Sequence, residues 1–397
     1  MNDATEIGTY LDHAATTKVR PAAAAAYAEA VAQPGNPSSL HAAGRRARRL
    51  VEEAREEVAA ALGAEPAEVI FTSGGTEANN LAVAGMARAR AGKGLLVSAI
   101  EHPAVLNPGK SHGAQLLPVS SAGVLDLGAL ETALAAGDIG ALSVMWANNE
   151  TGVVQPMADI VGLAHEYGAW VHSDAVQAVG HVPVNFRASG LDAMTITGHK
   201  IGAPIGIGAL VVRREVELRP TDSGGGQERG IRSGTVPLPG IRALAAALTE
   251  AAASQAEEAR RLAQWRDELI RHVLATIPGA HLTGPTIPGL AAPGPATALG
   301  ERLPHIAHFT FDGCDADALL FGLDSAGICA SSGSACQAGV QEPSHVLIAM
   351  GQDERAARSA VRFSMGWTTR REDIDAVLAA LPGVVERSRA ATVAAGR

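Results

Sequence analysis

Residues 193–200 read AMTITGHK, and residues 169–177 read AWVHSDAVQ. Each is an apolar, strand-like run that turns polar at its carboxyl end, at Lys200 in the first and at Asp174 in the second. A lysine at the end of a buried strand is unfavourable unless it stays neutral or is used covalently. An imine to an aldehyde cofactor removes that difficulty. A carboxylate one strand away is what a protonated pyridine nitrogen requires. The pair therefore points to a pyridoxal phosphate enzyme. Gln177 stands where it can hydrogen-bond the ring hydroxyl, while Thr197 and His199 flank the lysine as phosphate donors. The plainer reading makes Asp174 a helix cap.

Outward from that pair the same rhythm continues. Val69–Ser73, Leu95–Ile100, Leu142–Ala147, Ala169–Ser173, Ala193–Thr197 and Gly208–Arg213 read as strands. Thr76–Arg90, Leu127–Ala136 and Met157–Tyr167 read as helices between them. The alternation predicts an α/β fold with a mostly parallel sheet covered by helices, and ligands bound beyond the carboxyl ends of its strands. Residues 240–276 form a long Ala/Glu/Arg-rich helical stretch, with no Pro or Gly after Gly240, that carries the chain out of this domain. Residues 284–304 are dense in Pro and Gly and read as a loop. Beyond them, strands at His305–Phe311 and Ser359–Ser364 join helices at Asp315–Ala326, His345–Met350 and Arg371–Arg389 in a smaller α/β unit. The expected division is a large cofactor domain over 15–255 and a small domain of 1–14 with 256–397.

Composition sets outer bounds. The 397 residues suit two or three domains of about 150 residues each. A net charge of −9 argues against nucleic acid as a partner, because neutralising phosphates needs a basic face. No apolar run approaches the roughly 20 residues that cross a bilayer, and residues 1–12 lack the features of a signal peptide. Three cysteines, an odd number, fit a reducing cytoplasm better than a disulfide framework. Aromatic residues make up only 3%, so a histidine is expected to stack on a flat cofactor.

Four further stretches carry chemistry. In 71-FTSGGTEANN-80 a strand runs through glycines into a helix, whose free N–H groups and dipole suit an anion near Gly75 and Thr76. An ordinary capped turn explains it equally well, and no P-loop lysine follows. His102, in 101-EHPAVL-106, follows a strand at the same sheet edge as Lys200; there it can stack on a ring and move a proton, although a lone histidine is more often structural. Cys336 lies in 329-CASSGSACQAG-339, among small residues that cannot pack as core, and reads as part of an exposed mobile loop with a thiol kept for use. Cys314 and Cys329 read as small buried hydrophobes, and their spacings do not make a zinc site. Arg362, in 361-VRFS-364, sits in an apolar strand, where it captures a carboxylate or is held in a structural salt bridge.

These stretches, together with YLDHAATT (10–17), GNPSS (35–39), NNETG (148–152) and GGGQERGIRSGT (224–235), resemble the cysteine desulfurases of the NifS/IscS type. Those are fold-type I, class V aminotransferase-like enzymes, and the resemblance runs in order from about residue 9 to 385. It implies pyridoxal 5'-phosphate as cofactor and L-cysteine as substrate. Lys200 is then the Schiff-base lysine, Cys336 the persulfide carrier and His102 the stacking acid/base. Asp174 and Gln177 fall on the ring, while Gly75, Thr76, Thr197 and His199 fall at the phosphate. Thr235 reaches that phosphate from the partner subunit of a homodimer. Asn149 and Arg362 hold the ring region and the substrate carboxylate, with Asn36 nearby. No resident metal is required, and Cys336 ligates a cluster at most transiently. The resemblance further implies sulfur delivery to an iron–sulfur scaffold or another acceptor protein in the cytoplasm.

Residues 201–206, IGAPIG, depart from the Tyr-Gly-Pro-Lys-Gly of many relatives, which leaves partner docking there open. The 284–304 stretch is longer than usual. A selenocysteine lyase or another class V enzyme would share most of these residues. A non-catalytic scaffold would need no Lys200. A nicotinamide oxidoreductase is disfavoured by the lack of GxGxxG after a strand.

Overall fold

The computed structural model describes residues 8–219, 223–287, 289–290, 301–333, 336–337 and 340–394, with the backbone alone at 336–337 and 340–341. The six strands anticipated between residues 69 and 213, joined by an unanticipated seventh at Gln115–Leu117, form one sheet. Its order is Val69–Thr72, Gly208–Val212, Ala193–Thr197, Trp170–Asp174, Ile139–Ser143, Gly94–Ser98 and Gln115–Leu117. Six strands run the same way, and Gly208–Val212 runs antiparallel to both of its neighbours. The expectation of a mostly parallel sheet thus meets one reversal. Residues 198–207 are too few to build a crossover helix, so the chain turns back beside the strand that precedes Lys200.

Burial on both faces explains why these strands are continuously apolar and not alternating. Period-2 geometry still sorts their side chains. Val69, Phe71, Leu96, Leu142, Ala209 and Val211 enter one core cluster, while Ile70, Leu95, Val97, Ala141, Leu210 and Val212 enter another on the opposite face. The helix Gly75–Ala89 supplies Ala78, Leu81, Ala82 and Met86 to the second cluster.

The 39-residue helix Leu238–Thr276 spans two cores. Its first half gives Ile241, Leu244, Leu248 and Ala251 to the large cluster. Its second half gives Leu262, Leu269, Ile270 and Val273 to a separate one. That separate core lies on an antiparallel sheet of Ala280–Leu282, Ile306–Phe311 and Ala360–Ser364, packed with the helices Ala316–Ser325 and Arg371–Ala394. Leu11 joins it from the amino-terminal segment, where Thr9–Tyr10 pairs with Ile328–Cys329. Part of the Pro/Gly-rich 284–304 stretch, residues 288 and 291–300, lies outside the described residues. Its end, Glu301–Arg302, pairs with Val153–Val154 in a separate two-stranded sheet. Among the described residues no helix is long and apolar enough to cross a membrane.

The six co-directional strands present their carboxyl ends on one side. Asp174 ends its strand, Lys200 follows Ala193–Thr197, His102 follows Gly94–Ser98, and Gly75 follows Val69–Thr72. Asn149 comes shortly after Ile139–Ser143. The sheet alone brings five of the expected residues to one edge.

Candidate active site

That edge opens into a cavity of about 500 Å³. Ten of the expected residues line it: Gly75, Thr76, His102, Asn149, Asp174, Gln177, Thr197, His199, Lys200 and Arg362. Lys200 Nζ donates to the Ala15 carbonyl at 2.7 Å and also to that of Ala14. Gln177 Nε2 donates to the same Ala14 carbonyl at 2.9 Å. The amino-terminal motif 10–17 thus forms a wall of the cavity. Burial, and then the charge of Arg362, push the Lys200 amine down to about 8, against the opposing pull of Asp12 and Asp174. An amine so shifted is partly neutral near physiological pH and is a competent nucleophile.

Asp174 is 6% exposed. Its Oδ1 accepts the Val176 amide at 3.0 Å, and its Oδ2 accepts Asn79 Nδ2 at 2.6 Å. Burial nevertheless raises its pKa, only partly opposed by those bonds and by His102 and Lys200. A carboxylate in that state is stabilised by any cation brought to face it, as a pyridinium would be. Behind it Glu101, fully buried, accepts the Met145 amide through Oε1, and burial with the charge of Asp174 raises its pKa well above the usual range.

His102 caps the helix Pro103–Ser111, its Nδ1 accepting the Ala104 amide at 3.1 Å. In the neutral ring that bond leaves the proton on Nε2. The cavity walls lower the His102 pKa by desolvation; the Asp174 charge opposes this, and Lys200 and His345 reinforce it. The structural reading of His102 therefore holds. The ring both caps a helix and opens on to the cavity.

The anion end of the cavity lies at the start of helix Gly75–Ala89, whose cap residue Gly74 offers no side-chain bond to the first turn. Thr197 is buried there, and His199 Nδ1 is a buried ring nitrogen with no partner among the described residues. Burial and the Lys200 charge lower the His199 pKa to about 4, so the ring is neutral. An orphaned imidazole nitrogen beside free helix N–H groups fits a phosphate. The residues present fit pyridoxal phosphate at both ends.

Arg362, 3% exposed, meets the salt-bridge reading. One terminal nitrogen pairs with Asp12 at 2.8 Å, and the other donates to the Asn149 carbonyl at 2.7 Å. Among the described residues its Nε is buried without a partner. The guanidinium is therefore anchored while it faces the cavity with donor capacity to spare.

Two expected residues do not line the cavity of the single chain. Asn36 is exposed, and its carboxamide oxygen accepts the Ser38 amide at 2.9 Å, which keeps it in its own turn. Thr235 is exposed at the end of the 224–235 stretch. The Cys336 side chain lies outside the described residues, and its backbone pairs in a short hairpin with Val340–Gln341. Both flanks of that hairpin, Ser331 and Gly333 before it and Glu342 and His345 after it, line the cavity. Cys314 is buried, as expected; Cys329 is half-buried.

Sequence reasoning missed Asn79, Glu101, Glu150 and His345. Asn79 stands one helical turn after Thr76 and so shares its face. Glu101 and Glu150 adjoin singled-out residues, but no pattern marks them as buried.

A fold-type I sheet with a lysine, a carboxylate and an anion pocket at its carboxyl edge defines a class of enzyme built on pyridoxal phosphate. The family model of the class-V aminotransferases matches residues 9–377, and the chain belongs to that family. It is 48% identical to an IscS-like cysteine desulfurase of Mycobacterium tuberculosis, over 97% of this chain and 98% of that one. The NifS-like protein of Rickettsia africae superimposes with a TM-score of 0.85 at 33% identity, covering 96% of this chain and 99% of that one. SspA, solved in complex with cysteine, superimposes with a TM-score of 0.75 at 31% identity, covering 90% and 98%.

Proposed function

We propose that this chain is a cysteine desulfurase, converting L-cysteine to L-alanine and carrying the sulfur as a persulfide on Cys336. One observation carries the reading: Lys200, Asp174, His102 and Arg362 share a cavity flanked on both sides by the segment that holds Cys336. The full-length similarity to relatives named cysteine desulfurases supports it.

In this reading Lys200 holds pyridoxal phosphate, whose ring, when bound, withdraws electrons from the substrate α-carbon. Asp174 would hold the ring nitrogen, His102 would stack on the ring, Gln177 would bond the ring hydroxyl, Asn149 would hold the ring region, and Gly75, Thr76, Thr197 and His199 would bind the phosphate. Arg362 orients the substrate carboxylate. The freed Lys200 Nζ takes the α-proton, for which a pKa near 8 is well matched. The Cys336 thiolate attacks the substrate sulfur; the Cβ–S bond breaks, its electron pair stays with the carbon fragment, and protonation of that fragment gives alanine. An ordinary thiol, with a pKa near 8.5, is mostly protonated at neutral pH, so the Cys336 proton must leave before attack. His102, whose neutral ring keeps its proton on Nε2, would act as the acid that returns a proton to the carbon fragment.

The same reading takes residues 15–255 as the cofactor domain and 1–14 with 256–397 as the domain bearing the thiol, a division the two-core helix supports. It takes the protein as a cytoplasmic homodimer, with Thr235 completing the partner's phosphate site and an iron–sulfur scaffold or another protein accepting the sulfur. Mass spectrometry after incubation with L-cysteine tests it: one added sulfur is expected on the peptide containing Cys336. Cys336→Ala should keep the yellow cofactor and lose sulfide release. Full desulfurase activity in that variant would refute the proposal.

A further inference from the structure

Glu150 is a carboxylate in an unfavourable place, with no part in the chemistry above. It is 2% exposed and lies in the cavity wall. Two segments meet on it. Ser344 Oγ donates to Glu150 Oε2 at 2.5 Å and accepts the Leu347 amide at 3.2 Å, so it caps helix His345–Ala349 while it binds the carboxylate. From the other direction Gly333 lies flat on the glutamate stem. A Cβ at Gly333 would stand 3.0 Å from Glu150 Cγ, and its φ of +84° further excludes a side chain. Gly333 precedes Cys336 in the chain, and Ser344 follows it.

Glu150 is itself fixed, because its amide donates to the buried Asn148 Oδ1 at 2.9 Å. The flanks have further ties. Ser331 exchanges two backbone hydrogen bonds with Arg362, at 3.2 and 2.6 Å, and His345 Nε2 contacts the Glu101 carbonyl at 3.0 Å. Glu150 touches both sides. Burial raises its pKa against the Ser344 bond and the charges of His345 and Arg362.

We propose that Glu150 is a positioning residue that ties both ends of the Cys336 segment to one point of the cavity wall, so that loosening one end loosens the other. Its consequence for sulfur transfer rests on the function proposed above; the tether itself does not. A helix cap alone would make Ser344 matter only to residues 345–349.

The test uses the full-length holoenzyme and the variants Ser344→Ala, Ser344→Thr and Glu150→Ala, with two readouts. Amide hydrogen exchange is followed on peptides covering 328–333 and 342–349. Single-turnover persulfide formation on Cys336 is followed beside the cofactor absorbance change on binding cysteine. Both alanine variants should speed exchange at both ends and slow persulfide formation by about tenfold, the factor that one lost hydrogen bond to a charged group corresponds to. The cysteine concentration for half-maximal absorbance change should stay within about twofold, because no substrate contact is removed. Ser344→Thr, which keeps the hydroxyl, should behave as the wild type. Exchange that changes only in 342–349 in Ser344→Ala, or persulfide formation unchanged in both alanine variants, overturns the proposal. Should Glu150→Ala fail to fold, Ser344→Ala decides it alone. Should the wild type form no persulfide, the function reading falls and the exchange measurement still judges the tether.

Discussion

At the scale of single residues, the reactivity of this site follows from where water is excluded. Lys200 is desolvated and close to Arg362, so its amine titrates near 8 and not near the ordinary 10.4. The ammonium form has no lone pair to attack an aldehyde. Capture of added pyridoxal phosphate by cofactor-free protein should therefore accelerate as pH rises through about 8, measured as adduct fixed by borohydride on the Lys200 peptide. A rate that climbs only near the ordinary lysine value would show the amine to be unperturbed. Asp174 is the complementary case, a buried carboxylate lacking a full counter-charge in the free chain. Asp174→Asn preserves its shape but removes the charge that would hold a pyridinium. Turnover should fall by roughly 10²-fold, the effect of losing a charge interaction worth about two pKa units. A variant within about twofold of wild type would remove Asp174 from the ring.

At the scale of elements, the site depends on two chain segments passing almost in contact. A Cβ on Gly208 would stand 2.7 Å from the Ile196 carbonyl oxygen and 2.8 Å from Gly74 Cα, both of them backbone. Gly208→Ala should push the Gly74–Thr76 turn aside. The expected loss is about 1–3 kcal/mol in denaturant unfolding, as for overpacked cores, with weaker cofactor retention. Retention equal to wild type would mean that the turn yields without disturbing the anion pocket. The strands on either side of this contact were legible because burial on both faces leaves a continuous apolar run; Ala193–Thr197 was read to the residue. The reversed direction of Gly208–Val212 was not, since hydrophobic pattern carries no polarity. Helix Pro103–Ser111 escaped notice because Pro108 and Gly109 interrupt it, and Gln115–Leu117 because it is short and largely exposed. Residues at strand ends announced themselves through position, as Lys200 and Asp174 did. Glu150 could not, because its partner Ser344 lies 194 positions away and only the folded chain joins them.

At the scale of the whole molecule, the question is which chain's thiol serves which chain's lysine. In the proposed homodimer a site could draw Cys336 from either subunit. The flanks decide. Ser331, Gly333, Glu342 and His345 line the cavity of the same chain that supplies Lys200, and backbone bonds from Ser331 to Arg362 fix the near flank there. A segment held at both ends beside its own lysine serves its own site. Co-expression of a Lys200→Ala chain with a differently tagged Cys336→Ala chain tests this. The mixed dimer, isolated through both tags and verified by native mass spectrometry, then holds one intact lysine and one intact thiol on different subunits. Delivery within a subunit predicts no persulfide and no sulfide release from it, as from either parent. Delivery between subunits predicts about half of the wild-type activity, one working site in two. That second result would place the thiol of one subunit over the cofactor of the other, and the same-chain cavity could no longer be the reacting unit.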